Sequence, residues 1–431
     1  MNYKEAIDWL DGFQQFGMKL GLERIKILCE KLGNPQGNYK IIHVGGTNGK
    51  GSVCRYLGSI LTSSGYKTGI YTSPHLQRIT ERFVIDGEEI SEENFVNLIE
   101  KVRPIVEEMK TIGESPTYFE ILTSIGFQYF HDKKVDFAVI EVGLGGRFDA
   151  TNIVNPILTI ITNVSLEHQD VLGNNIEDIS FEKAGIIKKE VPLVTGSEGV
   201  AFETIKKKAK ENNSEITIVD NDSWKRVFND INGQEFLIRG QLKEYDIRTK
   251  MLGMFQGKNI AIALNGIETI QRNGIFIPDE SILEGVEKTS FAGRMEIVHN
   301  DPVILIDGAH NIEGFKVLTE TLKNDFSYDK LILVVGILSD KKISRMLEII
   351  TPIVDTVVTT KSKNQRASNP SELKQIIYEL GYTKDIIVKE NINEAIEYAK
   401  SIAKKDDLIC ITGSLFTVGE VKDVINSKIL K

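Results

Sequence analysis

Hydrophobic and polar positions change texture along this chain. From residue 39 onward, short apolar runs alternate with amphipathic stretches of about 12–16 residues, the pattern of βα units that build a mainly parallel sheet. The runs predict strands at Lys40–Val44, Thr68–Tyr71, Phe137–Val142, Leu158–Thr162 and Leu193–Thr195. After the first of them, Val53, Leu57, Ile60 and Leu61 fall at helical spacing, which predicts a helix from near Gly51 that stops at Gly65. Between Trp224 and Gly253 polar and apolar residues alternate around Asn232-Gly233, the signal of a type I′ hairpin in a small antiparallel appendage. Helices follow at about Lys258–Arg272 and Asp279–Lys288. Past Phe291-Ala292-Gly293-Arg294 the βα alternation restarts, with strands near Val303–Ile306, Leu331–Val335, Thr356–Thr359, Ile386–Val388 and Leu408–Ile411. The fold class read from this pattern is α/β, in two domains, 1–295 and 296–431. Before residue 39, Ile7, Leu10 and Phe13 form one apolar helical face.

Length agrees with this division, since 431 residues at about 150 per domain give two or three domains. Composition then removes several function classes. The net charge is −9, with no block of basic residues, which argues against a nucleic-acid partner, because tracking phosphates takes clustered Lys and Arg. The densest basic cluster, Lys206, Lys207, Lys208 and Lys210, reads as the solvated face of a helix. The longest apolar runs, such as 331–338, fall far short of the roughly 18–20 residues that cross a bilayer, so no membrane partner is expected. The acidic start MNYKEAIDWLDGF lacks the pattern of a signal peptide. Cys29, Cys54 and Cys410 are odd in number and widely spaced, which fits buried free thiols in a reducing, cytoplasmic setting.

The strongest chemical signal is Ile41–Ser52, IIHVGGTNGKGS, an apolar run that enters a Gly-rich turn and then a helix. Glycines allow backbone N–H groups to converge on phosphate oxygens, the helix N-terminus adds a favourable dipole, and Lys50 adds a point charge. Gly46, Thr47, Asn48, Gly49, Lys50, Gly51 and Ser52 are therefore the candidate ATP-binding residues. The segment departs from G-x-x-x-x-G-K-[ST]: Gly51 separates Lys50 from Ser52, and Val44 stands where the first Gly would be. A bound nucleotide triphosphate calls for Mg²⁺. Glu141, at the end of an apolar run, is the leading carboxylate for it, because strand ends face the ligand crevice of open α/β sheets. Ser73, after the second strand, and His168, after the fourth, share that placement. In the second half, Asp307 and His310 in IDGAHN and Ser414 in ITGS also follow strands, although turn and N-cap chemistry explains such residues equally well.

Together, GGTNGKGS (45–52), TSPHL (72–76), EVGLGGRFDATN (141–152), EHQDVLG (167–173), FEKAGIIK (181–188), FAGRME (291–296), IDGAHN (306–311) and ITGS (411–414) resemble the folylpolyglutamate synthase and dihydrofolate synthase family of Mur-type ATP-dependent amide ligases. The resemblance implies a P-loop ATPase domain followed by a Rossmann-like glutamate-ligase domain, with the active site in the cleft between them. It implies that ATP phosphorylates a carboxylate of the pterin-bearing substrate and that the amine of L-glutamate attacks the acyl phosphate. Lys50, Lys183, His168 and Glu141 would be the catalytic residues. Ser73 with Glu141, and Glu141 with His168 and Lys183, would hold two Mg²⁺ ions, Lys183 as a carbamate derived from CO₂. Asn259, Arg294 and Asp307 would contact ATP, and His310 and Ser414 the glutamate. Arg147 and Asp149, in the GGRFDATN version of the loop, resemble the form that accepts dihydropteroate, which favours a bifunctional enzyme that makes dihydrofolate and extends reduced folates with γ-linked glutamates. The family default is a monomer.

Three other readings stay open at this point. One is a monofunctional synthase of either kind. Another is a peptidoglycan-precursor Mur ligase, disfavoured because only about 40 residues precede the loop and those enzymes carry a UDP-sugar-binding domain there. The last is a nucleotide switch that hydrolyses ATP without forming an amide.

Overall fold

A computed structural model describes residues 1–14 and 21–429, with the side chains of 426–429 excepted. The chain divides into two compact units. One comprises Met1–Lys225, Phe236–Arg248 and Gly257–Thr289; the other comprises Arg226–Glu235, Thr249–Gln256 and Ser290–Lys431.

The first unit is built on eight strands: β1 (Lys40–Gly45), β2 (Thr68–Tyr71), β3 (Phe83–Ile85), β4 (Glu88–Glu89), β5 (Phe137–Glu141), β6 (Leu158–Ile161), β7 (Leu193–Thr195) and β8 (Ile216–Ile218). Their order is β4-β3-β2-β5-β1-β6-β7-β8. All pairings are parallel except β2 with β3 and β3 with β4. The buried, mainly apolar runs of β1 (from Ile41 onward), β5 and β6 are what a parallel sheet covered on both faces requires. Register decides what meets at the carboxyl edge. Val44 lies opposite Glu141 and Ile160, and Tyr71 lies opposite Ile140. The segments that leave β1, β2, β5 and β6 therefore emerge side by side. Because β1 sits between β5 and β6, which the chain reaches in opposite directions along the sheet, its exit is a topological switch point, where such sheets bind ligands.

Ile7, Leu10 and Phe13 join a core cluster that includes Phe83, Phe95 and Phe130, and Trp9 packs edge-on against Phe13. That apolar face is spent on packing. Cys29, Cys54 and Cys410 are buried free thiols. Lys206, Lys207 and Lys210 are exposed along the helix Gly199–Glu211, whose buried positions are Ala201, Ile205 and Ala209.

Three antiparallel strands, β9 (Trp224–Asp230), β10 (Gly233–Arg239) and β11 (Glu244–Thr249), form the appendage. Its first turn differs from the type I′ expectation. Among the described residues, the non-glycine positions of positive φ are Asn34, Asp86, Lys134, His168, Glu190, Asn213 and Met295, and a type I′ turn would need Asn232 among them. The Asp230 carboxylate instead accepts the N–H groups of Asn232 (2.7 Å) and Gly233 (3.1 Å), so a side chain closes the turn.

The second unit holds β12 (Glu296–Asn300), β13 (Val303–Ile306), β14 (Leu331–Val335), β15 (Thr356–Thr359), β16 (Asp385–Val388) and β17 (Leu408–Thr412). Their order is β12-β13-β17-β14-β15-β16, with β12 the antiparallel edge. Ile306 lies opposite Ile411, so the turns after β13 and β17 are neighbours.

Candidate active site

The loop that leaves β1 is held from one side by the segment after β6. Thr47 N–H donates to the Asn163 carbonyl (2.9 Å) and Asn48 N–H to Asn163 Oδ1 (3.0 Å). The Asn48 carbonyl accepts from Thr162 Oγ1 (2.7 Å) and Asn163 Nδ2 (3.1 Å), and Ser165 N–H donates to Thr47 Oγ1 (3.0 Å). These bonds fix the outer half of the loop and leave the inner half to the helix Lys50–Ser63, whose first-turn N–H groups, those of Gly51 and Ser52 included, have no intrahelical acceptor. Two glycines are required sterically. Gly46 has φ +133°, and a Cβ there would lie 2.0 Å from Thr162 Oγ1. Gly49 has φ +83°, and a Cβ there would lie 2.4 Å from Asn259 Oδ1, which puts Asn259 against the loop. Lys50 Nζ donates to the Thr47 carbonyl (3.0 Å), folding its charge over the turn.

Glu141 ends β5 and is buried. Its Oε2 accepts the Ser73 N–H (3.0 Å), so two neighbouring strand ends bring these residues into contact. The loop that follows Ser73 is tied by Glu81, whose carboxylate accepts the N–H groups of Leu76 (2.7 Å), Gln77 (2.9 Å) and Arg78 (2.7 Å). Arg82 Nε donates to His75 Nδ1 (2.9 Å). Burial, with the Arg82 charge adding to it, lowers the His75 pKa to about 3.

Lys183, on the helix Ile176–Ala184, is among the most buried long side chains of the protein. Its Nζ donates to the Gly46 carbonyl (2.9 Å) and to Glu167 Oε1 (2.8 Å). Burial pulls its pKa down to about 8, and the neighbouring Lys50 charge works in the same direction while Glu167 opposes them. For Glu167 burial raises the pKa, but the Lys183 and Lys50 charges outweigh it and hold the carboxylate below its usual range. His168 follows directly, with φ +46°, at the start of the short helix Gln169–Leu172.

The Arg147 segment packs against the same helix. Arg147 N–H donates to the Glu182 carbonyl (2.8 Å), and its guanidinium pairs with the Glu182 carboxylate at 2.7 and 3.3 Å. The guanidinium also lies over the rings of Phe148 (4.3 Å) and Phe181 (5.1 Å), both exposed. Asp149 is buried beneath. Its Oδ1 accepts Thr151 Oγ1 (2.6 Å) and N–H (3.0 Å), and its Oδ2 accepts Leu144 N–H (2.8 Å). Burial raises its pKa against these bonds.

In the second unit, Asp307 follows β13 and is buried. Its oxygens accept Met295 N–H (3.0 Å) and Ala309 N–H (2.9 Å). Burial raises its pKa and the adjacent Arg294 charge opposes the rise. Arg294 also stacks over Phe291 at 5.7 Å. His310 Nδ1 is bonded to the Gly308 carbonyl (2.8 Å). Ser414 Oγ accepts Thr417 N–H (3.0 Å) at the start of the helix Leu415–Ile429.

For a divalent cation, no group of three or more His, Cys, Asp or Glu among the described residues is set to hold one. Mg²⁺ does not need such a cage, because it keeps several waters and takes one or two carboxylates together with substrate phosphates. The buried Glu141 and the half-buried Ser73 that touches it, beside a phosphate loop, fit it. Lys183 as an ammonium does not; only an anionic derivative of it would supply an oxygen.

Reading by sequence passed over the partners of these residues: Thr162 and Asn163 under the loop, Glu167 on Lys183, Glu182 on Arg147, and Glu81 in the loop of Ser73. Glu167 was within reach, since it precedes His168 directly; the others signal nothing by spacing.

Residues 44–266 match the Mur ligase middle domain and residues 293–415 the Mur ligase, glutamate ligase domain. The dihydrofolate synthase/folylpolyglutamate synthase of Bacillus subtilis is 35% identical over 428 residues, 97% of this chain and 98% of that protein. The structure of the Mycobacterium tuberculosis folylpolyglutamate synthase complexed with ADP is similar, with a TM-score of 0.91 at 30% identity over 98% of this chain and 99% of that one. That of the Thermotoga maritima folylpolyglutamate synthase has a TM-score of 0.86 at 36% identity over 99% and 97%. No helix among the described residues is long and apolar enough to cross a membrane. With its phosphate loop at the switch point of one sheet and a second parallel α/β unit after it, the chain belongs to the folylpolyglutamate synthase and dihydrofolate synthase family of Mur-type, ATP-dependent amide ligases.

Proposed function

We propose that this protein joins L-glutamate both to dihydropteroate and to reduced folates, the second through γ-linked amides, as a cytoplasmic monomer. The observation that carries the ligase reading is the contact of the buried Lys183 with the Gly46 carbonyl of the phosphate loop, on the sheet edge where Glu141 meets Ser73. Residues 1–295 would act as the ATPase and 296–431 as the glutamate-binding domain.

The chemistry asks little covalent work of the chain. A carboxylate oxygen of the acceptor attacks the γ-phosphorus of ATP, the bond to the β-phosphate oxygen breaks, and ADP leaves. The amine of glutamate attacks the acyl phosphate carbon, phosphate leaves with the bonding pair, and the amine gives up a proton. Phosphoryl transfer of this kind is accelerated mainly by positioning and charge neutralisation. Lys50 and the first-turn amides of its helix would hold the triphosphate, with Asn259 against the loop. Ser73 and Glu141 would hold one Mg²⁺, and Glu141, His168 and a carbamate on Lys183 a second; bound there, the cations would neutralise phosphate charge. A lysine that titrates near 8 has the neutral amine that addition to CO₂ requires. Arg294 and Asp307 would serve the nucleotide and His310 and Ser414 the glutamate. Arg147, paired with Glu182 and lying over the rings of Phe148 and Phe181, would face the pterin-bearing acceptor, with Asp149 shaping its loop.

The acyl phosphate is tested with acceptor carrying ¹⁸O in its carboxylate. Transfer of one ¹⁸O into released phosphate is expected, and phosphate without label would refute the mechanism.

A further inference from the structure

His43 lies in β1, two residues before the glycines of the phosphate loop, and is fully buried. No step above uses it. Its Nε2 is 2.8 Å from Thr151 Oγ1, and Thr151 Oγ1 donates to Asp149 Oδ1 at 2.6 Å. A hydroxyl has one proton. With that proton on the Asp149 carboxylate, which also accepts two backbone N–H groups, Thr151 Oγ1 can only accept from His43. The imidazole must therefore carry its proton on Nε2. His43 Nδ1 is buried and has no hydrogen-bond partner among the described residues, which suits a bare nitrogen better than an N–H, since orphaned buried donors are rare. Burial, then the nearby Lys188 charge, takes the His43 pKa down to about 3, so the ring stays neutral. The result is a one-way chain of hydrogen bonds from the strand of the phosphate loop to the loop of Arg147.

We infer that His43 is a positioning residue for the acceptor: by donating Nε2–H to Thr151 it locks Asp149, and so the 144–151 loop, in the shape that binds the pterin-bearing substrate. This rests on the proposed role of Arg147 and Asp149.

Geometry supplies a discriminating set of variants. Glutamine carries a donor the same number of bonds from Cα as Nε2, asparagine carries one only as far as Nδ1, and methionine fills the space with no donor. His43→Asn and His43→Met are expected to raise the acceptor KM about tenfold, the worth of one lost buried hydrogen bond, with the ATP KM unchanged, while His43→Gln restores the acceptor KM. Acceptor and ATP constants rising together in step with a fall in melting temperature, or His43→Gln behaving like His43→Asn, would overturn the inference. Nitrogen NMR of the wild-type protein gives a reading independent of any variant and of turnover. A neutral Nε2–H tautomer for His43 throughout the neutral pH range is expected, and an Nδ1–H or charged ring would refute it. If the wild-type protein formed no amide, the proposed function would fall, and the NMR signature would still decide the hydrogen-bond chain.

Discussion

Replacing Gly46 with alanine tests whether the phosphate loop has the shape described. A φ of +133° is open to glycine and strained for any residue with a Cβ, at about 1–3 kcal/mol. The new methyl would also lie 2.0 Å from Thr162 Oγ1 and 3.0 Å from Thr162 N, far inside contact distance. Rotating Thr162 away relieves the first clash but breaks its 2.7 Å bond to the Asn48 carbonyl, at about 1 kcal/mol. The total is about 2–4 kcal/mol. A loop that keeps its shape takes this cost as lost stability; one that shifts shows it as an ATP affinity weakened by about 30-fold to 1,000-fold. Calorimetry with and without ATP, together with the ATP KM, separates the two. Gly46→Ala combined with Thr162→Ala should recover part of the loss, because the two positions are coupled by the clash. A single variant with native melting temperature and native ATP KM would refute the geometry.

Other predictions follow from other parts of the fold. Between pH about 8 and 10.5 the folded protein leaves Lys183 unprotonated while the unfolded chain keeps that proton, so this group's contribution to stability rises with pH across that window; its amine also becomes available to CO₂ as pH rises through about 8. A carbamate signal from ¹³C-bicarbonate that grows over that range, and is absent in Lys183→Arg, is the expected NMR result. Glu81→Ala removes the acceptor of three loop N–H groups, and hydrogen exchange at Leu76, Gln77 and Arg78 should accelerate at least about tenfold while β1 stays protected. Arg226 pairs with Asp325 at 2.6 and 2.7 Å, and both are largely buried; Arg226→Ala leaves a buried carboxylate alone and should cost about 3–5 kcal/mol in urea unfolding, with Arg226→Ala/Asp325→Ala less damaging than the single change.

The parallel strands were legible in the sequence because strands buried on both faces are continuous apolar runs, and β1, β5, β6, β14 and β17 all have that form. The phosphate loop was legible because its glycines, lysine and hydroxyl lie within eight residues. Strands β3, β4, β8 and β12 were not read, being two to five residues long, and the last two are only half-buried or exposed. The partners that shape the site were hidden by distance: His43 meets Thr151 across 108 positions, Thr162 meets Asn48 across 114, and Lys183 meets Gly46 across 137. Such contacts depend on sheet order and register, which no local spacing encodes. The turn at Asn232 failed for the opposite reason, since its local signal was correct for a hairpin and the Asp230 side chain, two positions before it, supplied the closure.

The central claim is that ATP cleavage here is coupled to amide formation on a pterin-bearing carboxylate. The measurement that tests it most directly is ADP release with ATP, Mg²⁺ and L-glutamate in the presence of dihydropteroate, tetrahydrofolate or no acceptor, with the products identified by mass spectrometry. ADP release that requires an acceptor, with one glutamate added to each of the two, is the predicted result. ADP release that proceeds equally without acceptor and yields no amide would contradict the account.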